Sequence, residues 1–426
     1  MIRLFERDIP LSAILNRDIQ SYPEQEQTVR DIIADVRQNG DRAVLAYGRK
    51  FDCPTLASLP VTRAEMEAAK SRLDPEFLRT LRQAKENIEF FHRHQLRDGF
   101  RLEKEQGVIL GQSYTPIEKV GIYVPGGTAS YPSTVLMNAI PAKIAGVSQL
   151  VMTTPANQKG EVADEILAAA ELCGVDLVFR CGGAQAIAAL AYGTETIPAV
   201  NKIVGPGNIF VAIAKRMVFG RVAIDMIAGP SEILVIADRT ANPRYVAADL
   251  LSQAEHDRLA SAVLLTDSPE LAAAVRDQLE LQIPALQRAD IARASIDQNG
   301  KIILTDSMEK AVELSNAIAP EHLELCVAQP FDLLPLVRNA GSIFLGHHTP
   351  EALGDYFAGT NHTLPTGGSA AFSSPLSVDD FRKKSSYLYY PEPALRSVSG
   401  RVADFALREG LQGHAQSVLV RLEEDS

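Results

Sequence analysis

Two polar side chains lie one turn apart in SQAEHDRLA, residues 252–260, which the sequence pattern predicts to be the end of a helix. Gln253 and His256 share a face with Asp249, because residues at i, i+4 and i+7 align along a helix. A solvated polar face is the simplest explanation of this row. Zinc would also explain it, but glutamine is an unusual ligand and a zinc site needs further histidine or carboxylate donors. The rest of the chain would have to supply those donors.

Further candidate donors occur in two other segments. Asp355 and His362 lie in LGDYFAGTNHTLPTGG, residues 353–368, directly after the predicted strand SIFLG. This position corresponds to the carboxyl end of a strand, where parallel sheets bind their ligands. Glu409 and His414 lie in EGLQGH near the end of the chain. The simpler interpretations are that Asp355 is a turn residue and that His414 ends a helix.

Glu321 and His322 are adjacent at the start of a short apolar strand in PEHLEL, residues 320–325. Adjacent strand residues point to opposite faces, but at the entrance of a strand both can reach a cleft. Histidine is the usual general base near neutral pH, and a carboxylate beside it can activate water. A buried, hydrogen-bonded pair is the alternative that these two residues leave open.

Three glycine-containing loops each follow a predicted strand and precede a predicted helix: YVPGGTASYPS (123–133), CGGAQA (181–186) and VGPGN (204–208). Each can offer backbone N–H groups and a helix N-terminus to a phosphate. No G-x-G-x-x-G fingerprint follows a strand, so a nucleotide would bind in an unusual way. Three such loops on one edge of a sheet still favour a nucleotide. Ser231 lies at the crossover to the next sheet, where a cleft is expected.

We assign no functional role to the other histidines. His92 and His94 face different sides of an amphipathic helix, which argues against a shared metal, and His347 and His348 are not assigned.

Short apolar strands alternate with helices from about residue 120, and the alternation restarts near residue 231. This pattern indicates parallel sheets covered on both faces. We therefore predict an α/β fold of two tandem Rossmann-like doubly wound units, with a mainly helical N-terminal region and a C-terminal dimerisation tail. Pro141 is expected to kink or interrupt the helix at 133–146. The segment SSYLYY, residues 385–390, has no assignment. The predicted strands are GIYV (121–124), LVMTTP (150–155), VDLVFR (175–180), KIVG (202–205), EILVIAD (232–238), SAVLLTD (261–267), KIILTD (301–306), HLELCV (322–327) and SIFLG (342–346).

The predicted domains follow from this alternation. Residues 1–24 form an N-terminal extension, and residues 119–230 form an inserted α/β domain with the glycine loops. Residues 25–118 together with 231–377 form the α/β domain that carries the candidate catalytic and metal residues. Residues 378–426 form a tail without an evident sheet, expected to dock elsewhere, for example on another subunit.

Composition limits the class of partner. The chain has 426 residues and a formal net charge of −11, which disfavours nucleic acid because its phosphate backbone is also negative. Its four cysteines form no CxxC pair, which is typical of reduced residues in a cytoplasmic protein. The N-terminus carries charges where a signal peptide would be apolar, and no apolar run is long enough for a membrane span.

Together these segments resemble the histidinol dehydrogenase family, in order from about residue 120 to residue 415. Each run is weak evidence alone, but the set is specific. The matching runs are YVPGGTASYPSTVLMNAIPAKIAG, GGAQAIAALAYGT, VGPGNIFVAIAKR, DMIAGPSE, SQAEHD, APEHLEL, GDYFAGTNHTLPTGG, FSSPLSVDDF and EGLQGHA.

The resemblance implies oxidation of L-histidinol through the aldehyde to L-histidine, the last steps of histidine biosynthesis, with two NAD reduced and one zinc per site. It implies that Gln253, His256, Asp355 and His414 are the zinc ligands. Asp355 would then be the only charged ligand, so the ion keeps Lewis acidity and open positions for substrate.

The resemblance also implies roles for the catalytic pair. His322 would take the proton of the alcohol as hydride leaves, and Glu321 would help to activate water for attack on the aldehyde. The implied NAD contacts are Tyr123, Gln185 and Asn208. The implied substrate contacts are Ser231, Gln253, His256, His322, Asp355, His362, Glu409 and His414.

The family forms a homodimer of intertwined subunits, which implies that Glu409 and His414 act in the partner's site. Three alternatives stay open: a sister dehydrogenase that oxidises another small polar alcohol, a zinc hydrolase that binds no nicotinamide, and a binding protein without catalysis. The three glycine loops favour a dehydrogenase over the last two.

Overall fold

The computed structural model describes residues 1–6, 10, 14, 22–126, 130–227 and 229–422. Most of the 1–24 extension, residues 127–129 of the first glycine loop and Ala228 of the crossover lie outside the described residues. The chain forms two compact units, one of residues 1–95 and 117–381 and one of residues 96–116 and 382–426.

The described residues form a mixed α/β fold, whose elements we number in chain order. The strands are β1 Arg3–Glu6, β2 Pro60–Val61, β3 Phe100–Glu103, β4 Ile109–Pro116, β5 Lys119–Tyr123, β6 Gln149–Thr154, β7 Leu177–Arg180, β8 Lys202–Val204, β9 Ala223–Ile224, β10 Glu232–Ala237, β11 Ser261–Thr266, β12 Lys301–Leu304, β13 His322–Cys326, β14 Ser342–Leu345 and β15 Arg382–Tyr389.

The α-helices are α1 Pro23–Phe51, α2 Arg63–Arg72, α3 Pro75–Arg93, α4 Pro132–Ala145, α5 Asp164–Leu172, α6 Gly183–Tyr192, α7 Ile209–Val218, α8 Pro243–Ala254, α9 Pro269–Gln282, α10 Ala289–Gln298, α11 Met308–Ile318, α12 Pro330–Leu333, α13 Glu351–Leu353, α14 Glu392–Arg408 and α15 Gln412–Leu419. A π-helical turn covers Gly354–Ala358. Short 3-10 helices cover Glu105–Gly107, Ile283–Ala285, Leu334–Leu336, Ser369–Ala371, Val378–Phe381 and Val420–Leu422.

The first unit contains two six-stranded sheets. One has the strand order β1-β12-β11-β10-β13-β14, and all of its neighbouring strands run parallel. The other has the order β2-β7-β6-β5-β8-β9, and β2 is its antiparallel edge strand. Apolar cores lie on both faces of each sheet, which is why the central strands are continuous apolar runs.

The N-terminal helices pack on the sheet that contains β5, not on the sheet that contains β10. The apolar stripe of α1 lies against α6 and α7, whereas α2 packs on α5. Lys70 of α2 reinforces this packing through an ion pair with Glu171 of α5, 2.8 Å. The packing that we expected for residues 25–118 is therefore wrong for these helices. Only α3 also reaches the turn at 354–358, through Asn87.

The second unit contains an antiparallel sheet with the order β15-β4-β3 and the helices α14 and α15. The SSYLYY segment belongs to β15, where Ser385 pairs with Ser113 of β4. The tail, which shows no evident sheet in its sequence, therefore contributes one strand to a sheet that it shares with the N-terminal region. The two paired segments are about 270 residues apart, so a local sequence pattern gave no sign of the pairing.

Helix α4 runs through Pro141 without interruption. Proline has no N–H, so the carbonyl of Met137 four residues earlier loses its helical donor. The Nδ2 group of Asn361 donates to this carbonyl instead, at 2.6 Å, and both residues are buried. The bond from Asn361 thus replaces the one that Pro141 cannot make.

No helix in the described part of the chain combines the length and the apolar character that a bilayer crossing needs.

Candidate functional site

The candidate site lies where strands β10 and β13 begin. His322 is the first residue of β13 and pairs with Ile233, the second residue of β10, while Ser231 directly precedes β10. Helix α8 follows β10 and runs back along the sheet, so Gln253 in its last turn returns to this edge. The strand entrance predicted for Glu321 and His322 is therefore observed, whereas Asp355, predicted at the carboxyl end of β14, lies beside His322.

Strand β13 and helix α8 face each other with polar residues. His322 and Glu324 point to the same face of β13, because side chains alternate along a strand. Gln253 of α8 lies against His322, with its Nε2 atom 3.1 Å from the ring Nδ1. One turn earlier, Asp249 forms a hydrogen bond with the Glu324 carboxyl group. Asp249 and Gln253 of the predicted row therefore face the sheet, whereas His256 lies beyond the end of α8.

Glu351 fixes the orientation of the Gln253 amide. Its Oε1 atom lies 2.6 Å from Nε2 of Gln253, and a carboxylate only accepts hydrogen bonds, so the amide nitrogen must face it. The Oε1 atom of Gln253 is then buried without a hydrogen-bond partner. Sequence reasoning missed Glu351, although its position four residues before Asp355 was a usable signal.

The His322 ring has one nitrogen engaged and one without a partner. Its Nδ1 lies 3.0 Å from the backbone carbonyl oxygen of Glu232, so Nδ1 carries the proton and donates it there. Its Nε2 is buried without a hydrogen-bond partner and lies 3.8 Å from oxygens of both Glu351 and Asp355. Burial lowers the pKa of His322, but the carboxylates of Glu351 and Glu321 outweigh it and hold the pKa well above the usual value.

Glu321 is buried beside His322. Its Oε2 accepts the backbone N–H of Glu232 at 2.8 Å and lies 3.6 Å from Nδ1 of His322. Burial raises the pKa of Glu321 to about 8, close to the range in which a carboxyl group can exchange protons near neutral pH. Glu321 and His322 are thus both buried, and their side chains lie next to each other.

Asp355, His362 and His256 surround the same cleft. Asp355 lies in the π-helical turn, and its backbone oxygen is 3.1 Å from Nδ1 of His362. His256 follows α8 at a more exposed position. The pKa of His256 is lowered, chiefly by burial. Asp355 raises this pKa and His322 lowers it, so His256 lies near both of these side chains.

These residues match the requirements of a divalent cation. The side-chain oxygen of Gln253 and the Nε2 atom of His322 are both buried without a hydrogen-bond partner in the described residues. Donor atoms of His322, Glu351 and Asp355 all lie within 4.8 Å of one another. Burial raises the pKa of Glu351 to about 7, which is typical of a site with more carboxylate than cation. The donor types, nitrogen and oxygen, suit zinc.

The glycine loops occupy the carboxyl ends of the other sheet, as predicted. They follow β5, β7 and β8, and the loops after β5 and β8 flank the point where the strand order reverses. Tyr123 ends β5, Gln185 is buried in α6, and Asn208 caps α7 by accepting the N–H groups of Phe210 and Val211.

Several N–H groups of these loops already have acceptors within the protein. The hydroxyl oxygen of Tyr123 accepts the N–H of Gly183 at 3.1 Å, and the Asp52 carboxylate accepts that of Gly182. Asp225 accepts the N–H of Gly205 at 2.8 Å. The N–H groups of Gly182, Gly183 and Gly205 are therefore engaged within the protein.

Glu409 and His414 lie in the second unit, at exposed positions on either side of the turn between α14 and α15. They line a groove of about 610 Å³ together with Val402, Phe405 and Leu411. Of the four predicted metal ligands, Gln253, His256 and Asp355 lie in the first unit and His414 lies in the second.

Comparison with known proteins agrees with this geometry. The family model for histidinol dehydrogenase matches residues 15–422. The chain is 55% identical to the histidinol dehydrogenase of Clostridium acetobutylicum over 397 residues, which cover 93% of this chain and 92% of that one. It is 54% identical to that of Geobacter metallireducens over 419 residues, 98% and 96% of the two chains. The crystal structure of histidinol dehydrogenase from Elizabethkingia anophelis superposes with a TM-score of 0.94 at 38% identity and covers 99% of this chain and 98% of that one. The chain therefore belongs to the histidinol dehydrogenase family.

Proposed function

We propose that this protein oxidises L-histidinol to L-histidine through L-histidinaldehyde, with two NAD reduced per turnover and one zinc per site. Family membership supports the reaction class. The observation that carries the proposal is a pair of buried atoms, Gln253 Oε1 and His322 Nε2, that lack a hydrogen-bond partner in the described residues, with Asp355 3.8 Å from the second.

Zinc would be held by Gln253, His256 and Asp355 with His414. When bound, it supplies Lewis acidity and coordination positions open to the amine and imidazole nitrogens of the substrate. The site fits because an amide oxygen, two imidazoles and one carboxylate give a low ligand charge, which preserves that acidity.

His322 would act as the general base. The bond from its Nδ1 to the Glu232 carbonyl leaves Nε2 as the basic atom, so the alcohol proton is transferred to Nε2 during the first oxidation. Glu321 would then take a proton from water, and the resulting hydroxide would add to the aldehyde carbon to give the hydrate anion. Transfer of a second hydride from this carbon to NAD, with loss of the remaining hydroxyl proton to solvent, would give the carboxylate.

NAD would bind at the loops after β5, β7 and β8, through Tyr123, Gln185 and Asn208, and it takes up the hydride of each oxidation. In this proposal the two sheets of the first unit are two Rossmann-like units. The one that contains β5 carries the dinucleotide, and the one that contains β10 carries the catalytic residues.

Ser231 and His362 would contact the substrate from the first unit, and Glu409 suits its cationic amine. We further propose a cytoplasmic homodimer in which Glu409 and His414 complete the site of the partner. Their exposed positions in a groove of the second unit support such a role.

The proposal is tested by stoichiometry. The zinc-loaded protein is mixed with L-histidinol and NAD, and NADH is counted against histidine. Two NADH per histidine is the expected result. One NADH with accumulation of aldehyde would overturn the four-electron reaction, and no NADH would favour a zinc hydrolase. Faster turnover of another small polar alcohol would identify a sister dehydrogenase.

A further inference from the structure

Glu351 is a buried carboxyl group that the proposed chemistry does not use. It is only 2% exposed, at the start of the short helix α13. Its Oε1 accepts from Gln253 at 2.6 Å, and its Oε2 accepts from the Ser252 hydroxyl at 3.3 Å. Both donors belong to the last turn of α8. The carboxyl group therefore holds the end of the helix that supplies the amide.

A glutamine amide needs such a restraint to serve as a ligand. Its terminal torsion is broad and roughly two-fold, so the oxygen and nitrogen can exchange places at little cost. Only the oxygen can bind a cation, because the amide nitrogen has no free electron pair to donate. Glu351 accepts a hydrogen bond from the amide nitrogen of Gln253. This contact removes the flipped orientation, in which the nitrogen would face the cation.

Glu351 is itself held by a second buried carboxyl group. Its backbone N–H donates to Oε1 of Glu324 at 2.8 Å, and the Glu324 carboxyl also meets Asp249 of α8. Asp249 lies one turn before Gln253. The amide and the groups that orient it therefore form a closed set of contacts between α8, β13 and α13, which leaves little freedom for Glu351 to move.

We propose that Glu351 is a positioning residue that orients the Gln253 amide, so that its Oε1 atom faces the metal and its Nε2 atom faces away. The inference rests on the proposed zinc site, but not on the identity of the alcohol. The carboxylates and amides that orient metal ligands in this way typically change metal affinity 10- to 100-fold when they are removed.

The first experiment measures zinc affinity by competition with a chelator, without substrate. Glu351→Ala removes the acceptor, and we expect about 10- to 100-fold weaker zinc binding. Glu351→Gln keeps an amide oxygen that accepts from Gln253, and we expect an affinity within about threefold of the wild type. An equal loss in both variants would show that Glu351 is itself a ligand and would overturn the proposal, as would no loss in either.

The second experiment tests the contact without metal. Gln253→Glu places two carboxylates against each other, and we expect it to lower the Tm of the apo protein. Adding Glu351→Gln should recover most of that loss, because an amide at 351 can donate to the new carboxylate. Losses that simply add would show that the two side chains do not interact.

The two experiments separate the possible failures. If the wild-type protein binds no zinc, the positioning role and the proposed function both fail. If it binds zinc and shows the expected variant pattern but does not oxidise histidinol, only the proposed substrate fails.

Discussion

Asn361 donates from Nδ2 to the main-chain oxygen of Met137 at 2.6 Å, and this oxygen lacks a helical donor because residue 141 is proline. The bond ties helix α4 to the segment that carries His362. Asn361→Ala leaves a buried carbonyl unsatisfied, so we expect a loss of about 1–3 kcal/mol in the free energy of unfolding.

Pro141→Ala provides the matched background, because a restored N–H at position 141 can bond Met137. Asn361→Ala should then cost less in urea denaturation than it does in the wild type. The other contacts of Asn361, to Thr363 and His92, are lost equally in both backgrounds. Additive losses would mean that the two donors do not compete for one carbonyl.

The role of His322 is tested by separating catalysis from metal binding. We expect His322→Ala to slow the first oxidation by about 10²- to 10⁴-fold, as is typical for loss of a general base. Zinc affinity, measured on the same sample without substrate, should change far less. Loss of the metal in step with the rate would identify His322 as a ligand instead.

We expect the buried His92 to make the folded protein less stable in acid. Burial lowers the pKa of His92 in the folded protein, whereas the unfolded chain takes up a proton near the ordinary value of about 6.5. The contribution of His92 to the free energy of unfolding is therefore fully present above pH 6.5. It is lost as the pH falls through the lowered pKa, by up to about 1.4 kcal/mol for each pH unit.

The measurement is the urea midpoint at pH 7.5 and at pH 5.5. His92→Gln should show a smaller difference between the two pH values than the wild type. His94→Gln changes an exposed histidine two residues away and is the control. An unchanged difference in His92→Gln would show that this ring does not titrate between the two states.

The four cysteines should resist alkylation in the native protein. All four are buried and free, and burial raises the pKa of Cys173 to about 12 and that of Cys181 well above its usual value. Because the thiolate is the reactive form, iodoacetamide at pH 8 should label none of them within minutes. Labelling of all four after denaturation is the control, and rapid native labelling would contradict the burial.

The tail is tested by mixing inactive subunits. His414→Ala and Glu321→Ala should each be inactive, and activity should partly return when the two are unfolded and refolded together. Each mixed dimer then has one site with both native residues, if His414 serves the partner. If mass spectrometry detects mixed dimers but these have no activity, Glu321 and His414 belong to a site that a single subunit forms.

Local pattern was sufficient for most of the elements that build the two sheets. The predicted strand at 232–238 is observed at Glu232–Ala237, and that at 322–327 is observed at His322–Cys326. Buried parallel strands are apolar throughout and end at turns, so their limits are visible in sequence. Gln253, His256 and Asp355 were assigned to one metal site on family resemblance, and this assignment stays a prediction.

The missed features depend on contacts that local pattern does not record. The pairing of β4 with β15 joins distant segments, and the side chains of β15 are largely exposed. Glu351 looked like an ordinary acidic residue after a proline, because its importance comes from Gln253, about 100 residues earlier. Asp355 was expected at the carboxyl end of β14, but it lies with His322 at the start of β13. Gln253 reaches the same place because it is in the last turn of α8.

The pairing of β1 with β12 has a consequence for biosynthesis. The first strand of the chain cannot find its neighbour until residues 301–304 have left the ribosome. At about 5–20 residues per second, that delay is roughly 15 to 60 seconds. During this time the nascent amino terminus must stay accessible, and the chain needs protection from wrong partners until translation is well advanced.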